Sequence, residues 1–321
     1  MRQMTQLAAR LACLGTLAFG LAACGHVAPH AGAAAQAAAP VAAPVAIQEA
    51  SLQVGATLVP YRDSGGSGTP VVFLHAASGK SQMWVHQIPA FTAAGYRFIA
   101  IDWRQPNPGH RAGTASTILI EAVLNKLGVD KVHLVGTAAG GGAAFQYALE
   151  HPAKVRSLVV ANSIGFVTDP DYLKLGERIR PAPHFNAMPV EFRELGPAYR
   201  AANPEGAARW NALAYQFVPA APTLAPQPAP AAAGTAGAAP RPALGNGSNI
   251  PVTWARLETL RMPALLITGD ADLYTPAPVL RMFGQRIRHA ELEVFPETGH
   301  SAYWEQPEMF NRRVLTFLGK H

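Results

Sequence analysis

Two cysteines in 321 residues leave almost no room for sulfur chemistry. Cys13 lies inside an apolar leader and Cys24 at its end, so the chain beyond them has neither a disulfide nor a thiol nucleophile. Charge is scarce as well. Asp, Glu, Lys and Arg make up 14% of the residues, and the net +6 is scattered rather than gathered into runs. No nucleic-acid partner is expected from such a surface. The apolar run 11–23 is shorter than the ~20 residues that a membrane-spanning helix needs. A repeat of fixed period and a His/Cys cluster with metal-ligand spacing are both missing. The glycine-rich GTAAGGG (136–142) follows a predicted strand, but no acidic residue stands about 20 positions on, where Val159, Val160 and Ala161 are found. A dinucleotide site is thereby excluded, and no metal or other cofactor is expected.

What is present begins with the leader. Arg2 and Arg10 precede the apolar run, which ends in Leu21-Ala22-Ala23-Cys24. This ending is similar to the lipobox of bacterial lipoproteins. The resemblance implies cleavage after residue 23, acylation of Cys24 and a lipid anchor in the bacterial cell envelope, facing the periplasm. The alternative is an ordinary secretory signal cut elsewhere. Residues 24–48, rich in Ala and Pro, have too few large apolar side chains for a core and are expected to form a flexible tether.

Beyond the tether, 49% hydrophobic composition supports a sizeable core, and short β-rich runs alternate with helical ones. ASLQV and TLVPYRDSG predict an opening hairpin. PVVFLHA (70–76), FIAIDW (98–103), KVHLVGT (131–137), VRSLVVANS (155–163), PALLITGD (263–270) and AELEVFP (290–296) predict buried strands. A helix is expected from the glycine turn to about His151, ahead of Pro152, and an amphipathic helix closes the chain. The predicted fold class is α/β: a mostly parallel twisted sheet with helices on both faces. Core segments 49–163 and 261–321 flank an inserted helical cap, 164–260. Within the cap, Tyr172, Leu173, Leu175, Ile179, Phe192, Leu195, Tyr199, Trp210 and Leu213 are the candidate apolar positions, and 219–249 is expected to be disordered.

Five motifs, in order, resemble those of the α/β-hydrolase superfamily, in its capped esterase, lactonase and carbon–carbon hydrolase subgroup. They are FLHAASGKSQMW with Trp84, AIDWRQPNPGHR, LVGTAAGG, GDADLYTP and ETGHSAYWEQPE. The resemblance covers the chain from about Ser51 onward. It implies a nucleophile elbow of the form G-x-S-x-G, then a catalytic acid, then a histidine. Here the apex of the elbow is Ala138, between Gly136-Thr137 and Ala139-Gly140. A methyl group attacks nothing. Thr137 precedes the apex, where a side chain points away from the site, and Ser78, Ser81 and Ser301 do not stand on such a turn.

The remaining roles are carried over residue by residue. His300 takes the histidine position, and Asp272 takes the acid position by the family's spacing. Asp270 is the rival that more simply caps the turn. Asn162 stands where some relatives carry an alternative acid, but it supplies no charge. Backbone N–H groups of Ala139 and of Ala77, or alternatively Ala76, would form the oxyanion hole. Phe185, Phe192, Tyr199, Trp210 and Tyr215 fit a small apolar ligand bearing an acyl or aromatic group, and Arg178 and Arg180 fit an anionic end on it.

Three readings stay open at this stage. The chain is an enzyme using a His–Asp general base without a serine, a non-catalytic binder of a small apolar molecule, or a serine hydrolase silenced by alanine at 138. If Cys24 is acylated, the protein partitions into the detergent phase, and Cys24→Ser releases it or leaves it unprocessed. A soluble wild type cut at another site contradicts the anchor.

Overall fold

The computed structural model describes residues 45–104, 114–214 and 250–321. The leader, Cys24, most of the tether, Tyr215 and the segment 219–249 lie outside the described residues. The described residues contain eight strands: β1 (Gln48–Val54), β2 (Thr57–Asp63), β3 (Pro70–Leu74), β4 (Arg97–Ile101), β5 (Val132–Thr137), β6 (Val155–Ala161), β7 (Ala264–Gly269) and β8 (Ala290–Phe295). They form one sheet in the order β1-β2-β4-β3-β5-β6-β7-β8. β1 pairs antiparallel with β2, and β2 with β4; every other pairing is parallel. The β1–β2 hairpin turns at Gly55, whose φ of +57° suits a residue without Cβ.

The period-2 alternation of the strands divides the core in two. Val72, Leu74, Ile99, Leu134, Leu158 and Leu266 pack on one side with α2 (Thr114–Lys126), α3 (Ala139–Glu150), α9 (Trp254–Leu257) and α10 (Ala277–Arg286). Phe73, Phe98, Val135, Val159, Leu265 and Ile267 pack on the other with α1 (Ile88–Ala93), α11 (Ala302–Glu305) and α12 (Pro307–Leu318). Strands covered on both faces read as continuous apolar runs, which is why the central ones were legible without alternation.

The strands end earlier than the apolar runs suggest. His75 and Ala76 lie beyond β3, Asp102 and Trp103 beyond β4, and Asn162 and Ser163 beyond β6. Side-chain bonds replace the ladder there. His75 Nδ1 lies 2.7 Å from the Ala76 carbonyl oxygen, Trp103 Nε1 donates to the His75 carbonyl at 3.0 Å, and Asp102 accepts the Ser81 N–H at 2.6 Å.

Between β6 and β7 the chain forms α4 (Pro170–Ile179), α5 (His184–Ala187), α6 (Val190–Glu194), α7 (Pro197–Ala202) and α8 (Pro204–Ala214) before reaching α9. Tyr172, Leu195 and Trp210 are buried in this insertion. Leu173 and Phe192, expected to be apolar contacts, are instead exposed at 51% and 43%. The five-residue α6 offers too few turns to bury a continuous stripe, and the Arg200 guanidinium covers the Phe192 ring at 4.3 Å, while Leu173 stands about a third of a turn round α4 from the buried Tyr172. No described helix is long and apolar enough to cross a membrane.

The start of α3 is pressed against the end of β3. A Cβ on Gly140 would lie 2.1 Å from the Leu74 carbonyl oxygen and 2.6 Å from that of His75. Gly140→Ala should therefore lower stability by about 1–3 kcal/mol, read as a shift of the urea midpoint, because backbone rather than a flexible side chain has to yield.

Candidate active site

The turn from β5 into α3 is where an elbow would be expected, and its apex is strained. Ala138 has φ 50° and ψ −118°, a region that a non-glycine residue enters only when its surroundings impose it. Several contacts impose it here. The Ala138 N–H donates to the Ala161 carbonyl at 2.9 Å, and the Ala138 carbonyl accepts the Gly141 N–H and the Ser163 hydroxyl. A Cβ on Gly136 would strike the Gly140 carbonyl at 2.3 Å, so the turn closes only with glycine at that position. Ala139, half-buried, is the first residue of α3, and its N–H has no carbonyl within the helix to receive it. Gly140, lying on the Leu74 and His75 carbonyls, brings this helix start against the loop that carries Ala77. Ala77 is exposed and Ala76 buried, which favours Ala77 as the donor open to a ligand.

On the other side of the same sheet edge, His300 and Asp272 meet. His300 Nδ1 lies 2.9 Å from Asp272 Oδ1 and 3.0 Å from Oδ2. Both residues are buried, at 4% and 3% exposure. The Tyr274 and Thr275 N–H groups donate to Asp272 Oδ1 at 2.7 and 3.0 Å, and the Thr275 hydroxyl donates to Oδ2 at 3.0 Å. Asn162 Nδ2 adds 3.0 Å to Oδ2 while also reaching the Gly299 carbonyl at 3.1 Å. Burial works against the charge on Asp272, but the imidazole and these donors outweigh it, and its pKa lies below the ordinary carboxylate value. Burial also works against charge on His300. The Asp272 carboxylate wins, and the imidazole pKa is raised. With Nδ1 held by Asp272, Nε2 is the nitrogen left to act as a base.

Asp270 takes no part in this pairing. It is exposed, and its Oδ1 accepts the Thr298 N–H at 3.3 Å, closing the turn. Asn162 lies at the sheet edge expected for an alternative acid and acts as a clamp on Asp272. Its main-chain N–H, bonded to the Ile267 carbonyl at 2.7 Å, ties β6, which supports Ala138, to β7, which supports Asp272. Ser81 and Ser301 are buried in their loops, and Thr137 is 1% exposed.

Four residues not singled out from the sequence surround the imidazole. The Tyr274 ring lies over His300 at 4.2 Å between centroids, and its hydroxyl accepts from Arg193 at 2.8 Å. The Glu194 carbonyl accepts the His300 N–H at 2.9 Å, and its carboxyl group is buried beside the pair. The Glu305 carboxylate accepts three backbone N–H groups: Gly196 at 2.8 Å, Gly299 at 2.9 Å and Ser301 at 3.1 Å. Glu305 thus stitches the insertion to the histidine loop. Of these, Tyr274 and Glu305 sit within the quoted acid and histidine motifs and had a positional signal. Arg193 and Glu194 had none, because only folding brings α6 over His300. Among the expected ligand contacts, Phe185 packs edge-on against Tyr274 at 4.9 Å and Arg180 donates to the Tyr274 carbonyl at 2.6 Å, whereas Trp210 is fully buried within the core.

A parallel sheet of this strand order, with an elbow after β5, an acid after β7 and a histidine after β8, defines a hydrolase-type scaffold. The chain belongs to the alpha/beta hydrolase fold family, whose model matches residues 69–307. It is similar to the 2-hydroxy-6-oxononadienedioate/2-hydroxy-6-oxononatrienedioate hydrolase of Paraburkholderia phymatum, with 28% identity over 82% of this chain and 91% of that protein. A similarly named hydrolase of Burkholderia vietnamiensis is 28% identical over 81% of this chain and 90% of its own length. Among solved structures, an esterase from Thermogutta terrifontis superposes with a TM-score of 0.65 at 22% identity, covering 85% of this chain and 98% of the other. The enol-lactonase of Burkholderia xenovorans does so with 0.62 at 17%, covering 84% and 100%. At these identities the structural likeness establishes the fold alone.

Burial pushes the Glu305 pKa up to about 7, although its three N–H donors favour the charged form. The folded chain holds this proton more tightly than an unfolded one, where the ordinary value is 4.5. Its contribution to stability is therefore complete below pH 4.5 and lost as pH rises through about 7. Glu305→Gln should remove that component, so that wild type loses stability relative to the variant between those two pH values in urea titrations. Glu305→Ala, which strands the three donors, should cost about 1–3 kcal/mol for each one left unpaired.

Proposed function

We propose that this chain is an enzyme that hydrolyses a small apolar ester, lactone or related carbonyl compound through a His300–Asp272 general base, without a covalent intermediate. The observation that carries this reading is the buried imidazole–carboxylate hydrogen bond at 2.9 Å, on the same sheet edge as an elbow whose apex is alanine. A neutral imidazole with Nδ1 fixed by Asp272 accepts a proton from water at Nε2. The water oxygen attacks the carbonyl carbon in the space that a serine hydroxyl would fill. Negative charge develops on the carbonyl oxygen, where the Ala139 and Ala77 N–H groups would receive it with help from the positive end of the α3 dipole. Collapse of the tetrahedral species expels the leaving oxygen or carbon with its electron pair, and a proton completes the product.

The similarity to hydrolases named for 2-hydroxy-6-oxo dioates supports a carbonyl substrate. Phe185 and Tyr274, with Arg180 and Arg193 nearby, support an apolar group with an anionic end. We further propose that the enzyme works while tethered by acylated Cys24 to the bacterial cell envelope, facing the periplasm.

One observation favours a second reading, a binder or a silenced serine hydrolase. The backbone strain at Ala138 costs about 1–3 kcal/mol and orients no nucleophile here.

Assays of wild type, His300→Ala, Ala138→Ser and the Ala138→Ser/His300→Ala double variant on an activated aryl ester separate the two readings. Wild-type turnover that falls about 10²–10⁴-fold in His300→Ala supports the nucleophile-free enzyme. Its kcat/KM should fall with acid at a pH above 6.5, since the imidazole pKa is raised and only the neutral form is a base. A silent wild type with an active Ala138→Ser variant, silenced again in the double variant, supports the second reading.

A further inference from the structure

Serine-free hydrolysis of an unactivated ester calls for an acid as well as a base, because a poor leaving group must acquire a proton as its bond breaks. In the elbow mechanism one histidine serves both roles in turn. A second carboxyl group, not absorbed by the Asp272–His300 pair, stands beside that pair. Glu194 closes α6, the helix that the insertion lays over the histidine loop, and its main chain is bound to His300 through the 2.9 Å hydrogen bond. Its side chain is 7% exposed, and Oε2 is buried with no hydrogen-bond partner among the described residues. The Ser78 hydroxyl, in the loop next to Ala77, faces the same carboxyl group without the geometry of a well-formed hydrogen bond. The carboxyl group therefore lies between the loop carrying one expected oxyanion donor and the imidazole. A buried polar atom left unsatisfied costs about 1–3 kcal/mol, and such atoms concentrate where a ligand completes the bonding.

Resting on the proposed hydrolytic function, we infer that Glu194 is the catalytic acid of this site, donating its carboxyl proton to the leaving oxygen while His300 takes a proton from water. The atoms balance. Water gives its proton to His300 Nε2, and the new C–O bond forms from the water oxygen. The bond to the leaving oxygen breaks with its electron pair, and that oxygen takes the proton of Glu194. The proton on His300 then restores Glu194, directly or through solvent, and the net reaction is ester plus water to acid plus alcohol.

The environment suits the role. Glu194 is faced by His300 and Asp272 from the sheet-edge loops, by Arg193 from its own helix, by Tyr274 from the acid loop and by Tyr303 from α11. Burial dominates and raises its pKa, whereas Asp272, a few residues away in space with five donors, is lowered. Two carboxyl groups beside one imidazole are pushed apart in acidity, one toward its ionised form beside the imidazole and the other toward the protonated form that can give a proton.

The test compares a p-nitrophenyl ester, whose leaving group needs no acid, with an alkyl ester of the same acyl group, whose leaving group does. Glu194→Gln is isosteric and cannot donate a carboxyl proton. It should slow the alkyl ester by about 10²–10⁴-fold and the nitrophenyl ester by less than about tenfold, and remove the basic limb of the alkyl-ester pH profile. Infrared difference spectra at neutral pH should contain a protonated-carboxyl band in wild type that Glu194→Gln lacks. Glu194→Asp keeps the acid but withdraws it by one methylene, so it should retain part of the alkyl-ester activity. It carries the comparison if the glutamine variant does not fold.

Equal losses on both esters, or no protonated-carboxyl band, would overturn the acid role while leaving the His300–Asp272 base intact. A wild type inactive on both esters would overturn the hydrolytic function, and the acid role with it.

Discussion

A carboxylate with no exposed surface must have its charge met by donors, and Asp272 is that group here. Its partners come from different parts of the chain. Asn162 follows β6, Tyr274 and Thr275 lie in the loop after β7, and His300 follows β8. Each donor anchors its own segment to the same point, so the charge serves as the hub around which the carboxyl edge of the sheet is organised. Asn162 extends the hub toward the elbow, since it follows directly on Ala161, which holds the Ala138 N–H. Removing the charge would release several loops at once. Leaving it in place while removing the donors would strand it in a medium that tolerates no unpaired ion.

Glu305 plays the matching part for the insertion. Three backbone N–H groups, one from the insertion and two from the histidine loop, converge on its carboxylate. The helices that precede β7 are thereby held to the loop bearing His300, and α6 delivers Glu194 and Arg193 to the imidazole. The surroundings of the imidazole are thus built from two layers: a sheet edge that holds its Nδ1 and an insertion that sets the groups facing it.

Ala138 combines a strained turn with an unreactive side chain. The turn keeps its positive φ, its flanking glycines and its contact with the end of β3, although its apex has no reactive atom. Close packing surrounds the strained turn, since a Cβ on Gly136 or on Gly140 would strike backbone atoms. A helix start whose first N–H has no carbonyl partner within the helix remains at Ala139, suited to a ligand that develops negative charge.

The order of the elements was legible in the sequence because local rules carry it, and the pairing of Asp272 with His300 because both stand in motifs that resemble the family's. Apolar runs marked the central strands, the glycines marked the elbow, and Asp272 and His300 stood in motifs at strand ends. The ends of the strands were not legible. His75, Asp102 and Asn162 leave the ladder for side-chain bonds that only neighbouring loops can supply. Nor was the exposure of Leu173 and Phe192, which depends on how short helices lie on the core. The sequence by itself determined which residues could be strand, turn, base and acid. Only the tertiary structure decided that Asn162 clamps Asp272 and that Glu194 is buried beside the imidazole. These are contacts between segments up to 110 residues apart, and no local pattern encodes a distance that exists only after the sheet has brought its edges together.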